Sequence, residues 1–240
     1  MRIIAIVQAR LGSRRLPGKV LKKINGTPII DLLLQRLNQV KEIDKIIVAT
    51  TTSKEDDKLE DYLISTGYDV FRGSENDVLS RYYEVNKQYN YDYILRITGD
   101  CPLIDKSLIE EGIKKFKESN IDYLNNYTIP TFPDGLDFSI FSKESLVFAY
   151  ENAKDVYDRE HVDTFIQRHK NSSTFTLRNK QDQSSQRWTL DEIDDFLVIS
   201  KIFNYFHPNI YFGWEEIIKL SKDKPEFFKY NKNINRNEGS

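Results

Sequence analysis

A single cysteine, Cys101, stands in 240 residues. One thiol excludes an intrachain disulfide and any cysteine-cluster zinc site. Histidine is scarce too: His161, His169 and His207 are too dispersed to suggest a zinc centre. No apolar run approaches the roughly 20 residues that cross a bilayer, so no membrane insertion is expected. The first residues do not read as a signal peptide, because one arginine and a brief apolar stretch run straight into a charged loop. A cytoplasmic location is therefore the expectation. Charge of one sign is also missing. The formal net charge is −2, whereas a binder of duplex nucleic acid is usually strongly basic, so no nucleic-acid partner is expected. Alanine is sparse, and 14 Tyr, 14 Phe and 2 Trp supply the core instead. No internal repeat or low-complexity linker divides the chain, which reads as a single domain over 1–240.

What is present is organised around the start. Ile3 to Val7 is short, β-branched and apolar, the mark of a strand buried on both faces of a parallel sheet. The loop after it carries Arg10, Arg14, Arg15 and Lys19, with Gly12 and Gly18 for unusual backbone angles and Pro17 to stiffen the path. Ligands of open α/β sheets bind at the carboxyl ends of the strands. Four cations there point to a polyanion such as a nucleoside triphosphate.

The rest of the first half alternates. Thr27 and Pro28 are placed to cap and open a helix with an apolar stripe at Ile29, Ile30, Leu33, Leu34 and Leu37. Strands follow at 45–50, 69–72 and 93–98, separated by helices over 54–66 and 78–89, the second capped by Asp77. Asp105 to Glu118 reads as a further helix and Asp122 to Leu124 as a further strand. This β-α-β order predicts an α/β fold, a mostly parallel sheet with helices on both faces. From about residue 125 the chain is turn-rich. A strand is expected near 136–141, helices over 142–153 and 158–169, and a strand over 175–177. Beyond these come a strand over 187–191, helices over 192–206 and 213–220, and a polar tail over 231–240, frayed or used only in contacts.

Few residues carry candidate chemistry. Asp100 ends a parallel strand after Gly99, so a site role and a helix cap are both open. Magnesium takes one or two carboxylates plus substrate phosphates, and Asp191 is the second candidate, although read alone it is a helix cap. Asp137 alternates with apolar neighbours and projects either toward the site or into solvent. His161, between Glu160 and Asp163, either meets an anionic acceptor or pairs with a neighbouring carboxylate. Cys101 is expected to pack rather than react.

Ala9-Arg10-Leu11-Gly12-Ser13-Arg14-Arg15-Leu16-Pro17-Gly18-Lys19-Val20-Leu21 resembles the signature of the CMP-sugar synthetases, cytidylyltransferases that activate Kdo and sialic-acid-like sugars. Gly26 to Ile30, Ile46 to Thr50 and Gly99-Asp100-Cys101-Pro102-Leu103-Ile104 follow in that family's order. Pro133 to Asp137, Arg159 to Val162 and Asn235 to Gly239 resemble its SpsF-like branch, associated with spore coat and other surface polysaccharides. Two departures stand out. The late acidic motif reads Asp191-Glu192-Ile193-Asp194-Asp195 where Asp-Thr-Pro-Glu-Asp is common, and Gln8 stands where Kdo enzymes often have proline.

The resemblance implies a GT-A-like nucleotide-diphospho-sugar transferase fold, a homodimer, and magnesium-dependent transfer of CMP from CTP to a sugar-acid or phosphorylated acceptor. It implies catalytic roles for Lys19, Arg15 and Asp100. Nucleotide binding would fall to Ala9, Arg10, Leu11, Gly12, Ser13, Arg15, Lys19, Thr98 and Asp100. Asp100 and Asp191 would hold the metal, and Asp137, Arg159 and His161 would face the acceptor. Residues 1–124 would form the nucleotide-binding half, and 125–230 the half for acceptor binding and dimerisation. The alternative is a GT-A glycosyltransferase working from a nucleotide-sugar donor, which would not need cations to hold a leaving pyrophosphate.

Overall fold

In the computed structural model, residues 2–170 and 172–236 are described. The first strand, β1 (Ile3–Gln8), is the buried run expected of Ile3 to Val7. It leads through the basic loop to a small hairpin, β2 (Lys23–Ile24) and β3 (Thr27–Pro28), and then α1 (Ile29–Leu37). Thr27 and Pro28 pair as a strand, and no side chain caps α1. Next come β4 (Lys45–Thr51), α2 (Asp57–Ser65), β5 (Asp69–Gly73), α3 (Val78–Tyr89), β6 (Tyr93–Thr98) and α4 (Lys106–Ser119). Asp77 and Asp105 cap α3 and α4 by accepting the Ser80 and Leu108 amides.

The second half continues the same sheet. It holds β7 (Tyr123–Asn125), β8 (Phe138–Ser142), α5 (Lys143–Asn152), α6 (Val156–His161), α7 (Thr164–Arg168), β9 (Thr174–Thr176), α8 (Ile193–Phe206) and α9 (Trp214–Asp223). Seven strands line up as β5-β4-β1-β6-β8-β7-β9. Only β8 runs against its neighbours. One face packs on α1, α2, α4, α8 and α9 through residues such as Leu33, Leu59, Ile109, Ile199 and Ile217. The other packs on α3, α5 and α7 through Leu79, Tyr82, Leu146 and Ile166.

Two further expectations change. The helix over 158–169 is two short helices, because Val162 turns to φ 64° between them. Residues 187–191 bury Trp188 and Leu190 but form no strand; Arg187 makes one isolated bridge to Asp134. Of the two readings of the tail, the described part follows the one of use in contacts: Asn231 is buried, and its side-chain amide donates to the Arg187 carbonyl and to Asp195. Asn237 to Ser240, the end of that tail and of the Asn235–Gly239 motif, lie outside the described residues.

Candidate active site

The centre of the sheet sets the site. β1 and β6 are parallel neighbours with Gln8 opposite Thr98, so the loops over 9–19 and 99–104 leave the same edge together. The first loop is pinned from inside by Leu16 and Val20, both buried in the core. The Asp56 carboxylate accepts the Leu11 amide at 2.6 Å, and the Leu11 carbonyl accepts the amides of Ser13 and Gly18. Gly18 takes a left-handed φ of 67°, which the tight return requires; Gly12 has no such angle.

The loop's cations divide. Arg10 points away to Glu75 at 3.1 Å and is half exposed. Lys19 turns inward. Its ammonium donates to Asp100 Oδ2 at 3.0 Å and to Asp191 Oδ1 at 2.9 Å. Arg15 lies 3.3 Å from Asp191 Oδ2 and 3.3 Å from Glu192 Oε1. Lys19, Arg15, Asp100 and Asp191 thus form one cluster, with Thr98 at its floor.

Burial opposes the charge of Lys19, but Asp100 and Asp191 outweigh it and raise its pKa above the ordinary lysine value. Burial also pushes Asp100 up; the Lys19 ammonium and the Thr98 hydroxyl more than reverse this and hold its carboxyl below the usual range. The side chains of Asp100 and Asp191 keep 29% and 19% exposure, so both reach solvent at the rim. Neither caps a helix. Asp105 caps α4, and Glu192 caps α8 in a box completed by Asp195. Cys101 is buried, and burial together with Asp100 and Asp137 lifts its thiol pKa well above the usual value, which keeps it unreactive.

The support behind Asp191 escaped sequence reasoning. Asp195, fully buried, is gripped by Arg187 through Nε and Nη2, each at 2.9 Å. Its Oδ2 also accepts the amides of Asp191 and Glu192, fixing the chain where Asp191 turns toward Lys19. Arg187 reaches Asp134 at 3.1 Å and Asp191 at 3.4 Å as well. The sequence signal was the late acidic motif itself, in which Asp195 lies four residues after Asp191.

Of the residues expected to face the acceptor, Arg159 and His161 share α6 and Asp137 directly precedes β8, each with its own partners. Asp137 is held by Arg236, whose Nη2 donates to both carboxylate oxygens at 2.6 and 2.7 Å. Arg159 binds Asp77 and the Tyr150 carbonyl, tying α6 to the start of α3. The His161 ring packs on Tyr157 with centroids 4.2 Å apart. Among the described residues no group of three or more metal-ligating side chains occurs. The donor set at Lys19 still suits a hard cation: two carboxylate oxygens already bracket one positive centre.

This arrangement is a cation-lined loop facing paired carboxylates across the end of a parallel sheet. A family model described as cytidylyltransferase matches residues 4–238. The chain belongs to the cytidylyltransferase family. It is thereby a CTP-dependent nucleotidyltransferase. An uncharacterised protein of Methanocaldococcus jannaschii is 39% identical, covering 98% of this chain and 96% of the relative. The spore coat polysaccharide biosynthesis protein SpsF of Bacillus subtilis is 35% identical over 70% of each chain. A cytidylyltransferase structure from Leptospira borgpetersenii superposes with a TM-score of 0.91 at 33% identity, covering 99% of this chain and 100% of that one. The cytidylyltransferase fold thus extends over the whole described sheet, the second-half strands included. No helix among the described residues is long and apolar enough to cross a membrane.

Proposed function

We propose that this cytidylyltransferase moves CMP from CTP to a sugar-acid or phosphorylated acceptor, with magnesium, and releases pyrophosphate for surface polysaccharide synthesis. The observation that carries the reading is the Lys19 ammonium held between Asp100 and Asp191 beside Arg15. An acceptor oxygen attacks the α-phosphorus, the bond to the β-phosphate oxygen breaks, and pyrophosphate leaves with the electron pair. Such chemistry asks mainly for positioning and charge neutralisation. Lys19 and Arg15 offset the charge gathering on the leaving group, exchanging carboxylate partners for phosphate oxygens. Asp100 and Asp191 would hold magnesium, which when bound supplies neutralisation of phosphate charge. The loop over 9–13 and the Thr98 hydroxyl, with Arg10 at the outer edge, complete the nucleotide side. Asp137, Arg159 and His161 mark the acceptor side. The polysaccharide role is supported by the name of the Bacillus relative. A homodimer is part of the same proposal, and light scattering on the purified protein tests it.

Thermal unfolding with CTP, UTP, GTP and ATP, each with and without magnesium, tests the reading. A ligand at ~100 times its dissociation constant adds about 2.7 kcal/mol, a shift of roughly 5–11 °C for this size. The expected shift belongs to CTP with magnesium alone. Pyrophosphate release with a panel of sugar acids and sugar phosphates then finds the acceptor. A shift with nucleotide sugars in place of CTP, and no pyrophosphate, would instead establish the glycosyltransferase alternative.

A further inference from the structure

Arg96 is a charged residue inside the sheet that the cluster around Lys19 does not use. It sits in β6, opposite Ile6 of β1 and Ser139 of β8, and Ser139 sits opposite Asn125 of β7. Ile94, two residues earlier, packs in the core that faces α3, α5 and α7, so strand alternation puts Arg96 on that face as well. The next pair toward the carboxyl edge is Gln8 and Thr98, the floor of the site. Arg96 therefore lies about 6.7 Å below that floor along the strand.

Its surroundings are polar but leave it unsatisfied. The hydroxyls of Tyr123, Tyr127 and Ser139 all donate to Asp163 Oδ2. The Arg96 Nη1 atom stands 3.8 Å from that same oxygen, too far for a hydrogen bond. Among the described residues no hydrogen bond to the guanidinium is present, and its Nε is sealed from solvent without a partner. An arginine carries five N–H donors, and leaving buried donors idle is costly. The Arg96 side chain is 12% exposed, so it is not wholly sealed from the surface. Its charge acts on Asp137, drawing that carboxyl down against the effect of burial. Apart from Gln8 and Tyr82, its polar neighbours come from 123–163, the side opposite Lys19 and Arg15.

We propose that Arg96 reads the non-reacting anionic group of the acceptor, a carboxylate or a phosphate, from beneath the rim formed by Thr98 and Asp137. The inference rests on the cytidylyl-transfer reading and names the residue that would select acid acceptors. A guanidinium suits either anion, because its paired N–H groups match two oxygens at once. The open donors then find acceptors only when substrate arrives, and a neutral analogue leaves them idle.

Simple anions test this without knowledge of the acceptor. Pyruvate and inorganic phosphate are titrated calorimetrically into the protein saturated with magnesium and α,β-methylene CTP, which fills the triphosphate side. One of them is expected to bind; binding of pyruvate marks a carboxylate reader, and binding of phosphate a phosphate reader. Arg96→Gln should weaken that binding at least tenfold and Arg96→Lys should restore part of it, while the CTP thermal shift stays at the wild-type value. A bromide soak of wild-type crystals adds a check that needs no variant: an anomalous peak is expected at the guanidinium. The inference is overturned if neither anion binds, if Arg96→Gln binds as wild type does, or if the soak leaves the guanidinium bare. Loss of the CTP shift in wild type would overturn the transfer reading instead, a result visible in the same samples before any anion is added.

Discussion

Lys19 and Asp191 are 172 residues apart in sequence and 2.9 Å apart in space. The same ammonium holds Asp100 at 3.0 Å, so one cation joins the first loop, the end of β6 and the entry to α8. In the free protein this contact holds two carboxylates close without repulsion.

Lys19→Ala is expected to lower turnover at saturating CTP by roughly 10²–10³-fold, the usual loss when one preorganised donor to a developing anion is removed. Continuous pyrophosphate detection measures it. Turnover equal to wild type would take Lys19 out of the chemistry.

Asp100→Asn and Asp191→Asn should each abolish the magnesium-dependent part of the CTP thermal shift. With both carboxylates as ligands, the protein supplies the upper end of the one or two that magnesium usually draws from protein beside substrate phosphates. Retention of the full magnesium effect in either variant would assign the metal elsewhere.

Asp195→Asn acts on stability first. It strips the charge from the partner of a buried Arg187, a loss that typically costs about 3–5 kcal/mol. Urea denaturation should show it as a lower midpoint with an unchanged slope. A midpoint near wild type would mean that Asp195 does not anchor the turn that presents Asp191.

The acidic cluster behind the site gives stability an unusual pH dependence. Burial and the neighbouring Asp137 raise Asp134 to about 7, although Arg236 and Arg187 pull the other way. Asp137 is raised as well, chiefly by burial. A carboxyl whose folded pKa exceeds its unfolded value binds more protons when folded, so stability falls as pH climbs from about 4 to about 7 and levels off above. Asp100 and Asp195, held low, act with the opposite sign and only at more acid pH. Asp134→Asn should therefore flatten the decline between pH 4 and 7 in thermal melts. A slope unchanged from wild type would count against Asp134 as its source.

Gly135 has φ +100°, and a Cβ there would meet the Trp188 carbonyl oxygen at 2.7 Å, with the Thr189 amide also in its way. Backbone on both sides cannot yield as a flexible side chain would. Gly135→Ala should cost at least about 1–3 kcal/mol, read from chemical denaturation. A neutral result would show that the segment over 187–191 is looser than its burial suggests.

Much of this was legible in order along the chain. Alternating apolar runs and helical stripes located β1, β4, β6, α1 and α3, because each buries side chains against one sheet. Asp77, Asp105 and Ser142 were readable as the residues at helix starts, since capping is a local interaction. The failures share a cause. Trp188 and Leu190 carry a strand-like pattern, yet their burial comes from packing without a ladder. Val162 adopts a left-handed angle that its own side chain disfavours, imposed by the packing of α6 and α7. Which of Asp191, Asp194 and Asp195 turns inward depends on the phase of α8, and nothing local sets that phase. The sequence reading of 93–98 assigns Arg96 no role; its donors are idle because groups distant in sequence turned to Asp163.

The clasp between Arg187, Asp195 and Asn231 also bears on synthesis. Chains emerge from the ribosome amino end first and their early segments can fold while later ones are still being made. The basic loop and Asp100 lie within the first 100 residues, whereas the turn that brings Asp191 to Lys19 is supported in part from residue 231, whose side-chain amide donates to Asp195. A chain cut short before Asn231 would lose one of the contacts that hold Asp195, and with it part of the support behind Asp191.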